Sequence, residues 1–180
     1  TFASPPDYET KNSYSITVEA SDGIESSSQA ITINIQDQND APVISGLVSP
    51  ISFDENATSN LVTINASDED TGDSLSYSLG GADGANLSIS NSGVITFNSP
   101  PDYEAKNQYS IDVIVSDGNL SVSQSITVNI QNINEGPTIT NLPSIWSYEE
   151  NATTNLLIMS EYASSSEQCT VLTFSLSGAD

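Results

Sequence analysis

The sequence has no histidine or arginine, and its only cationic side chains are Lys11 and Lys106, against 24 acidic residues. The resulting net charge of −22 argues against binding to nucleic acid or to an anionic membrane surface, because both require Lys or Arg to neutralise phosphates. No nucleic-acid partner is therefore expected. The same charge favours cations as partners.

Cysteine is scarce as well, since Cys169 is the only one. A single thiol cannot form an intrachain disulfide, and without histidine it leaves Zn²⁺ short of its usual ligands. No apolar run reaches the length of a membrane span, so direct membrane insertion is not expected. The residues TFASPPDYE (1–9) do not read as a signal peptide, and the pattern begins and ends midway, which indicates part of a longer chain.

The usual enzyme motifs are missing too. The sequence has no GxSxG, no histidine for a catalytic triad and no phosphate-binding loop. A carboxylate-based hydrolase remains a third and distant hypothesis, because acid–base pairs normally lie in a concave site with positioning groups. The sequence thus favours a binding or structural role over catalysis.

An internal repeat is the strongest feature that is present. TFASPPDYETKNSYSITVEASDG (1–23) returns as TFNSPPDYEAKNQYSIDVIVSDG (96–118), and FDENATSNLV (53–62) returns as YEENATTNLL (148–157). The offset is 95 residues in both cases, from 102 − 7 and from 148 − 53. Gapless similarity of this length indicates tandem modules of one design. We predict the rear half of one repeat at 1–43, a complete repeat at 44–138 and the front half of a third at 139–180.

Short strands with period-2 alternation fill the complete repeat. The clearest are Leu61–Ala66, the run with Tyr109, Ile111, Val113 and Val115, and the run with Ile126, Val128 and Ile130. Shorter strands are predicted at 76–79, 87–89 and 94–97, and helical periodicity is absent. The pattern predicts an all-β fold of tandem immunoglobulin-like Greek-key β-sandwiches. The aromatic residues expected in the core are Phe53, Tyr77, Phe97 and Tyr109.

One segment departs from the repeat. Residues 158–176 are two residues longer than their counterpart at 63–79, and the only Met and the only Cys both fall there. The stretch 158–172 is either a degenerate repeat or a local sequence error, and both interpretations remain open.

Acidic residues cluster at the linker QDQNDAP (36–42), between the last strand of one predicted repeat and the first of the next. Hard oxygen ligands of this kind suit Ca²⁺, while a polar linker with a proline stop is the alternative. Further acids recur in SDEDTGD (67–73), where an EF-hand loop is excluded because its twelfth position is Leu79 rather than Glu. Loops of a sandwich gather at its two ends, so acids that are distant in sequence could converge there.

Taken in order, these motifs resemble the cadherin repeat. That family carries an acidic residue in its first strand, a DxD motif, a DRE-type motif, an acid in an AxD motif and a DxNDNxP linker. The counterparts here are Glu55, Asp68–Asp70, Asp102–Glu104, Asp117 and the linker 37–42. The resemblance covers essentially the whole chain and is more specific than any single motif.

The resemblance implies two calcium junctions of unequal strength. The first would use Asp7, Glu9, Asp37, Asn39, Asp40, Asp68, Asp70 and Asp117. The second would bind Ca²⁺ weakly or not at all, because its linker reads NINEGP and the next DxD motif is lost; its candidate ligands are Glu55, Asp102, Glu104, Asn132, Asn134 and Glu135.

The function that follows is a calcium-stiffened spacer or adhesion module of a large cell-surface or secreted adhesin. Carboxylates at a joint repel one another without ions, and Ca²⁺ would tie both modules together. The runner-up is a calcium-independent stalk whose acids maintain solubility. The expected partners are neighbouring repeats of the same chain and then other adhesin molecules or cell-surface ligands. Homophilic contact is typical of some relatives, while the composition is more typical of a bacterial surface protein.

Overall fold

We describe the fold from a computed structural model. It describes residues 1–144, 147, 150, 159–161, 163–165, 171–175 and 177. About half of the predicted third repeat therefore lies outside the described residues, including 158, 162 and 166–170 of the divergent stretch 158–172. The division into repeats at 43 and 138 stays a prediction.

Short strands dominate the described residues, as the period-2 alternation predicts. The strands are β1 (Ser13–Ser21), β2 (Ser26–Asn34), β3 (Val43–Ser45), β4 (Ile51–Asp54), β5 (Val62–Thr63), β6 (Asn65–Ser67), β7 (Ser76–Gly80), β8 (Leu87–Ile89), β9 (Val94–Phe97), β10 (Gln108–Ser116), β11 (Ser121–Gln131), β12 (Thr138–Ile139) and β13 (Ala163–Ser164). Two single-turn 3₁₀ helices, Gly84–Asn86 and Met159–Glu161, accompany them. In the part of the chain that is described, no helix is both long enough and apolar enough to cross a membrane.

Strands β3 to β11 form the predicted sandwich. One sheet has the order β4-β11-β10-β7 and the facing sheet has the order β5-β9-β8, while β3 pairs with β6. Neighbours in these sheets are often distant in sequence, as Greek-key connections require. β4 runs parallel to β11, and the other pairings are antiparallel.

The core lies between the sheets and is built by alternation along two long strands. Ile111, Val113 and Val115 of β10 are fully buried, as is Val128 of β11. Phe97 packs against two other core aromatic residues, with its ring centroid 5.0 Å from that of Tyr109 and 5.4 Å from that of Phe53. The predicted alternation of these strands is confirmed.

The predicted strand Leu61–Ala66 is wrong in one respect, because the structure divides it at Ile64. β5 pairs with β9 on one side of this residue, and β6 pairs with β3 on the other. Ile64 is buried, and its N–H donates to the carbonyl oxygen of Gly93 at 2.8 Å. Gly93 has φ +76° and lies so close that a Cβ would come within 2.8 Å of the Ile64 oxygen. The turn at Gly93 thus fixes the point where the chain changes partners.

Residues 1–43 contain a hairpin, β1–β2, with the same register as β10–β11. Ile16 pairs with Ile31 just as Ile111 pairs with Ile126, 95 residues later. Ile16 and Val18 are 42% and 52% exposed, however, whereas Ile111 is fully buried. Among the described residues, no second sheet covers this hairpin. Similar local sequence therefore gives the same strand pairing in both hairpins.

Candidate metal centre at the repeat junction

The linker that follows β2 is docked on two loops of the sandwich. The Asp40 N–H donates to Asp70 Oδ2 at 2.7 Å, in the loop after β6. Asn39 Nδ2 donates to Asp117 Oδ2 at 2.9 Å, and Asn119 Nδ2 donates to Asn39 Oδ1 at 2.6 Å, both at the β10–β11 turn. The linker thereby holds acids of both predicted repeats at one end of the sandwich.

Three carboxylates from three separate segments meet at this end. Glu9 precedes β1, Asp37 lies in the linker and Asp70 follows β6, and one oxygen of each lies within 4.8 Å of the others. Asp37 and Asp70 also line a pocket of about 370 Å³ together with Asn39 and Asp73. We name this set the first-junction cluster (Glu9, Asp37 and Asp70).

A second acidic group adjoins it through the shared residue Asp70. Asp68, Asp70 and Asp73 of the loop after β6 also have oxygens within 4.8 Å of one another. Asp73 was not among the predicted ligands, although it belongs to the same acidic loop. Gly72, with φ +109°, turns the chain between Asp70 and Asp73. A glycine between two acids was the sequence signal that could have identified Asp73.

The carboxylates of these two groups repel one another. Desolvation, followed by repulsion from Asp37 and Asp70, raises the pKa of Glu9. Desolvation, followed by repulsion from Asp70 and Asp68, likewise raises the pKa of Asp73. Asp68 Oδ1 accepts the Asp70 N–H at 3.0 Å, whereas Asp68 Oδ2 is buried without a hydrogen-bond partner among the described residues. Clustered carboxylate oxygens with an unsatisfied buried acceptor are the donor set that Ca²⁺ takes.

Two predicted ligands have their oxygens engaged within the protein. Asp7 accepts from the Thr10 N–H at 3.0 Å and from the Thr10 hydroxyl at 2.9 Å, and these bonds lower its pKa. Asp117 accepts from Asn39, and that bond is the main reason why its pKa is lowered. The structure places Asp7 outside the clusters, and its role as a ligand stays a prediction.

The second junction gathers its acids around Glu55, which is 3% exposed. Glu55, Asp102 and Glu104 have oxygens within 4.8 Å of one another. Glu55 accepts two backbone N–H groups, from Ile133 at 2.7 Å and from Tyr103 at 2.8 Å. The predicted residues of the linker also lie here: Asn132 Nδ2 donates to Glu104 Oε1 at 2.8 Å, Glu135 Oε1 accepts from Asn56 Nδ2 at 2.6 Å, and Asn134 Nδ2 lies 3.4 Å from the Glu135 carbonyl oxygen.

Comparison with known proteins places this arrangement in one family. Residues 49–131 match the family model described as the cadherin domain. Mouse Protocadherin Fat 4 is 32% identical over 185 residues, which cover 97% of this chain and 3% of that protein. Mouse Cadherin EGF LAG seven-pass G-type receptor 1 is 33% identical over 138 residues, covering 71% of this chain and 4% of that protein. The chain thus spans only a few per cent of the length of these relatives.

Solved structures agree with the sequence comparisons. A structure of protocadherin gammaB7 described as an EC3-6 cis-dimer superposes with a TM-score of 0.59 at 27% identity, covering 79% of this chain and 38% of that one. The human Desmocollin-1 ectodomain, at 21% identity and a TM-score of 0.53, covers 75% of this chain and 30% of its own length and shows the same fold.

The fold and the comparisons together define a module of extracellular, adhesion-type β-sandwich proteins. The chain contains a cadherin-like repeat. This confirms the predicted fold class and the predicted extracellular or cell-surface location. The family and the fold are those of adhesion modules rather than hydrolases.

Proposed function

We propose that this chain is a calcium-stiffened spacer of a larger cell-surface or secreted adhesin. The observation that supports it best is the first-junction cluster, because its three carboxylates come from three segments on both sides of the linker. A cation shared by these segments would connect the hairpin β1–β2 to the following sandwich. Without a cation, the same charges repel one another and favour separation.

The residues that would hold Ca²⁺ are those of the first-junction cluster together with Asp68 and Asp73. Bound calcium would supply positive charge and flexible coordination by six to eight oxygens. Asn39 and Asp40 dock the linker on Asp117 and Asp70, so they position Asp37 whether or not they ligate. Extracellular calcium modules typically have a Kd of about 10⁻⁴–10⁻³ M, which suits millimolar calcium outside cells.

The adhesive contacts belong to the proposal as well. The nearest partners are neighbouring repeats of the same chain, as the docked linker supports. Beyond them, the longer protein would bind other adhesin molecules or cell-surface ligands. The inference from composition that this is a bacterial surface protein stays a prediction.

The double variant Asp37→Ala plus Asp40→Ala tests the calcium role. Calcium should raise the Tm of the wild-type chain relative to EGTA, and this shift should disappear in the double variant. The matched control is Glu19→Ala plus Glu25→Ala, which removes two exposed acids at the far end of the β1–β2 hairpin. The control should retain the calcium shift.

A calcium-independent stalk is the second candidate, and the hydrogen-bonded linker of the second junction favours it. If the wild-type chain and the double variant melt at the same temperature with calcium and with EGTA, the stalk replaces the spacer as the explanation.

A further inference from the structure

The two junctions can be compared residue by residue, because they are related by the repeat offset of 95. Asp37 corresponds to Asn132 and Glu9 corresponds to Glu104, from 132 − 37 and 104 − 9. In the first junction, a linker carboxylate therefore lies close to a loop carboxylate. In the second, a linker amide donates a hydrogen bond to the loop carboxylate, from Asn132 Nδ2 to Glu104 Oε1 at 2.8 Å.

The replacement of the Asp37 carboxylate by the Asn132 amide at the equivalent position changes how the linker can be joined to the loop carboxylate. Two carboxylates cannot hydrogen-bond to each other when both are ionised, and they need a cation between them. An amide N–H can donate to a carboxylate directly, and such charge-assisted bonds are short and strong. The 2.8 Å distance falls in the range of these bonds.

The rest of the second linker is held in the same manner. The Ile133 N–H donates to the buried Glu55 Oε1 at 2.7 Å. Asn56 Nδ2 donates to Glu135 Oε1 at 2.6 Å. Protein N–H groups thus donate to at least one oxygen of each of three carboxylates at this junction.

We propose that Asn132 determines the cation dependence of the second junction, by locking the linker to the loop between β9 and β10 through Glu104. The second linker stays joined to its loop without calcium, whereas the Asp37 and Glu9 carboxylates of the first junction need a cation between them to be joined in the same way. The difference in calcium dependence between the two junctions rests on the proposed function. The hydrogen bond between Asn132 and Glu104 does not rest on it.

The test compares Asn132→Asp with Gln131→Glu in the full chain. Both variants add one negative charge to the same segment, but Gln131 is exposed and is not a candidate ligand. In EGTA, Asn132→Asp should lower the Tm by on the order of 5 °C relative to the control, because the amide bond is replaced by repulsion from Glu104. In calcium, Asn132→Asp should recover stability. It should also bind more calcium than the control does, as measured by calorimetry.

The reverse change gives an independent check at the first junction. Asp37→Asn places an amide next to Glu9 and should raise the Tm in EGTA while reducing the calcium shift. Equal melting of Asn132→Asp and Gln131→Glu in EGTA would overturn the lock, whatever the calcium results. Failure of the proposed function has a different signature, which is a wild-type chain without any calcium response.

Discussion

The two junctions of this chain have different chemistry at positions that the repeat offset of 95 makes equivalent. In the first, Glu9, Asp37 and Asp70 converge from three segments without a positive side chain among them. In the second, Asn132 and backbone N–H groups supply donors to Glu104 and Glu55. The comparison shows that equivalent positions in two repeats can carry different side-chain chemistry. The proposed consequence is that one amide in place of one carboxylate changes the requirement for a cation.

The same comparison applies to the PDYE loops that precede β1 and β10. The Asp7 carboxylate accepts from the Thr10 hydroxyl and N–H, whereas Asp102 accepts from the Ala105 N–H, which has no neighbouring hydroxyl. The two loops, which have nearly the same sequence, thus differ in whether a side-chain hydroxyl donates to the aspartate.

The largest effect is expected from Asp70→Ala, because Asp70 belongs to both acidic groups of the first junction. Calcium affinity should fall by about 100-fold or more, measured by calorimetry. An equal fall in Asp102→Ala would contradict the comparison, because that residue belongs to the second junction.

Glu55→Ala should break the second junction without involving calcium. The Ile133 and Tyr103 N–H groups lose their acceptor, which costs about 1–3 kcal/mol in the free energy of unfolding. The loss should be equal in calcium and in EGTA, measured by chemical denaturation. A loss confined to calcium would show that Glu55 acts as a ligand instead.

Asp73→Asn tests whether Asp73 belongs to the calcium site of the first junction. The amide keeps an oxygen but removes a charge, so calcium affinity should fall by about three- to tenfold. In EGTA the variant should be more stable than the wild type, because repulsion from Asp70 and Asp68 is relieved. Glu19→Gln, which removes an exposed charge on β1, serves as the control and should leave calcium affinity unchanged.

Thr10→Ala should have the smallest effect and make the first loop resemble the second. The Thr10 bonds lower the pKa of Asp7, so removal of the hydroxyl should raise this pKa towards its usual value in an NMR titration. The stabilisation from this group is present above the unfolded pKa and is lost as pH falls through the folded one. Thr10→Ser retains the hydroxyl and should keep the low pKa; a shift equal to that of Thr10→Ala would refute the explanation.

Much of the sandwich could be predicted from the sequence, because alternation in β10 and β11 specifies which side chains face the core. The bounds 87–89 and 94–97 agree with β8 and β9. The break at Ile64 could not be predicted, since it depends on the approach of Gly93, 29 residues later. The pairing of Lys106 with the buried Asp83 was also hidden, because these residues come together only when the turn before β8 folds onto β10.

The candidate site was predictable to a lesser degree. The resemblance to the cadherin repeat implied Glu9, Asp37 and Asp70 as ligands, and the structure brings these three together. The resemblance did not identify Asp73, or the two N–H groups that converge on Glu55. Such features depend on the local backbone path of a loop, which cannot be predicted from hydrophobic periodicity or amino-acid composition.

Small-angle scattering from the full chain, in EGTA and then in millimolar calcium, tests the central claim most directly. The account predicts that calcium increases the maximum dimension of the particle and that Asp37→Ala plus Asp40→Ala abolishes the increase. Superimposable curves for the wild-type chain in both conditions would contradict it.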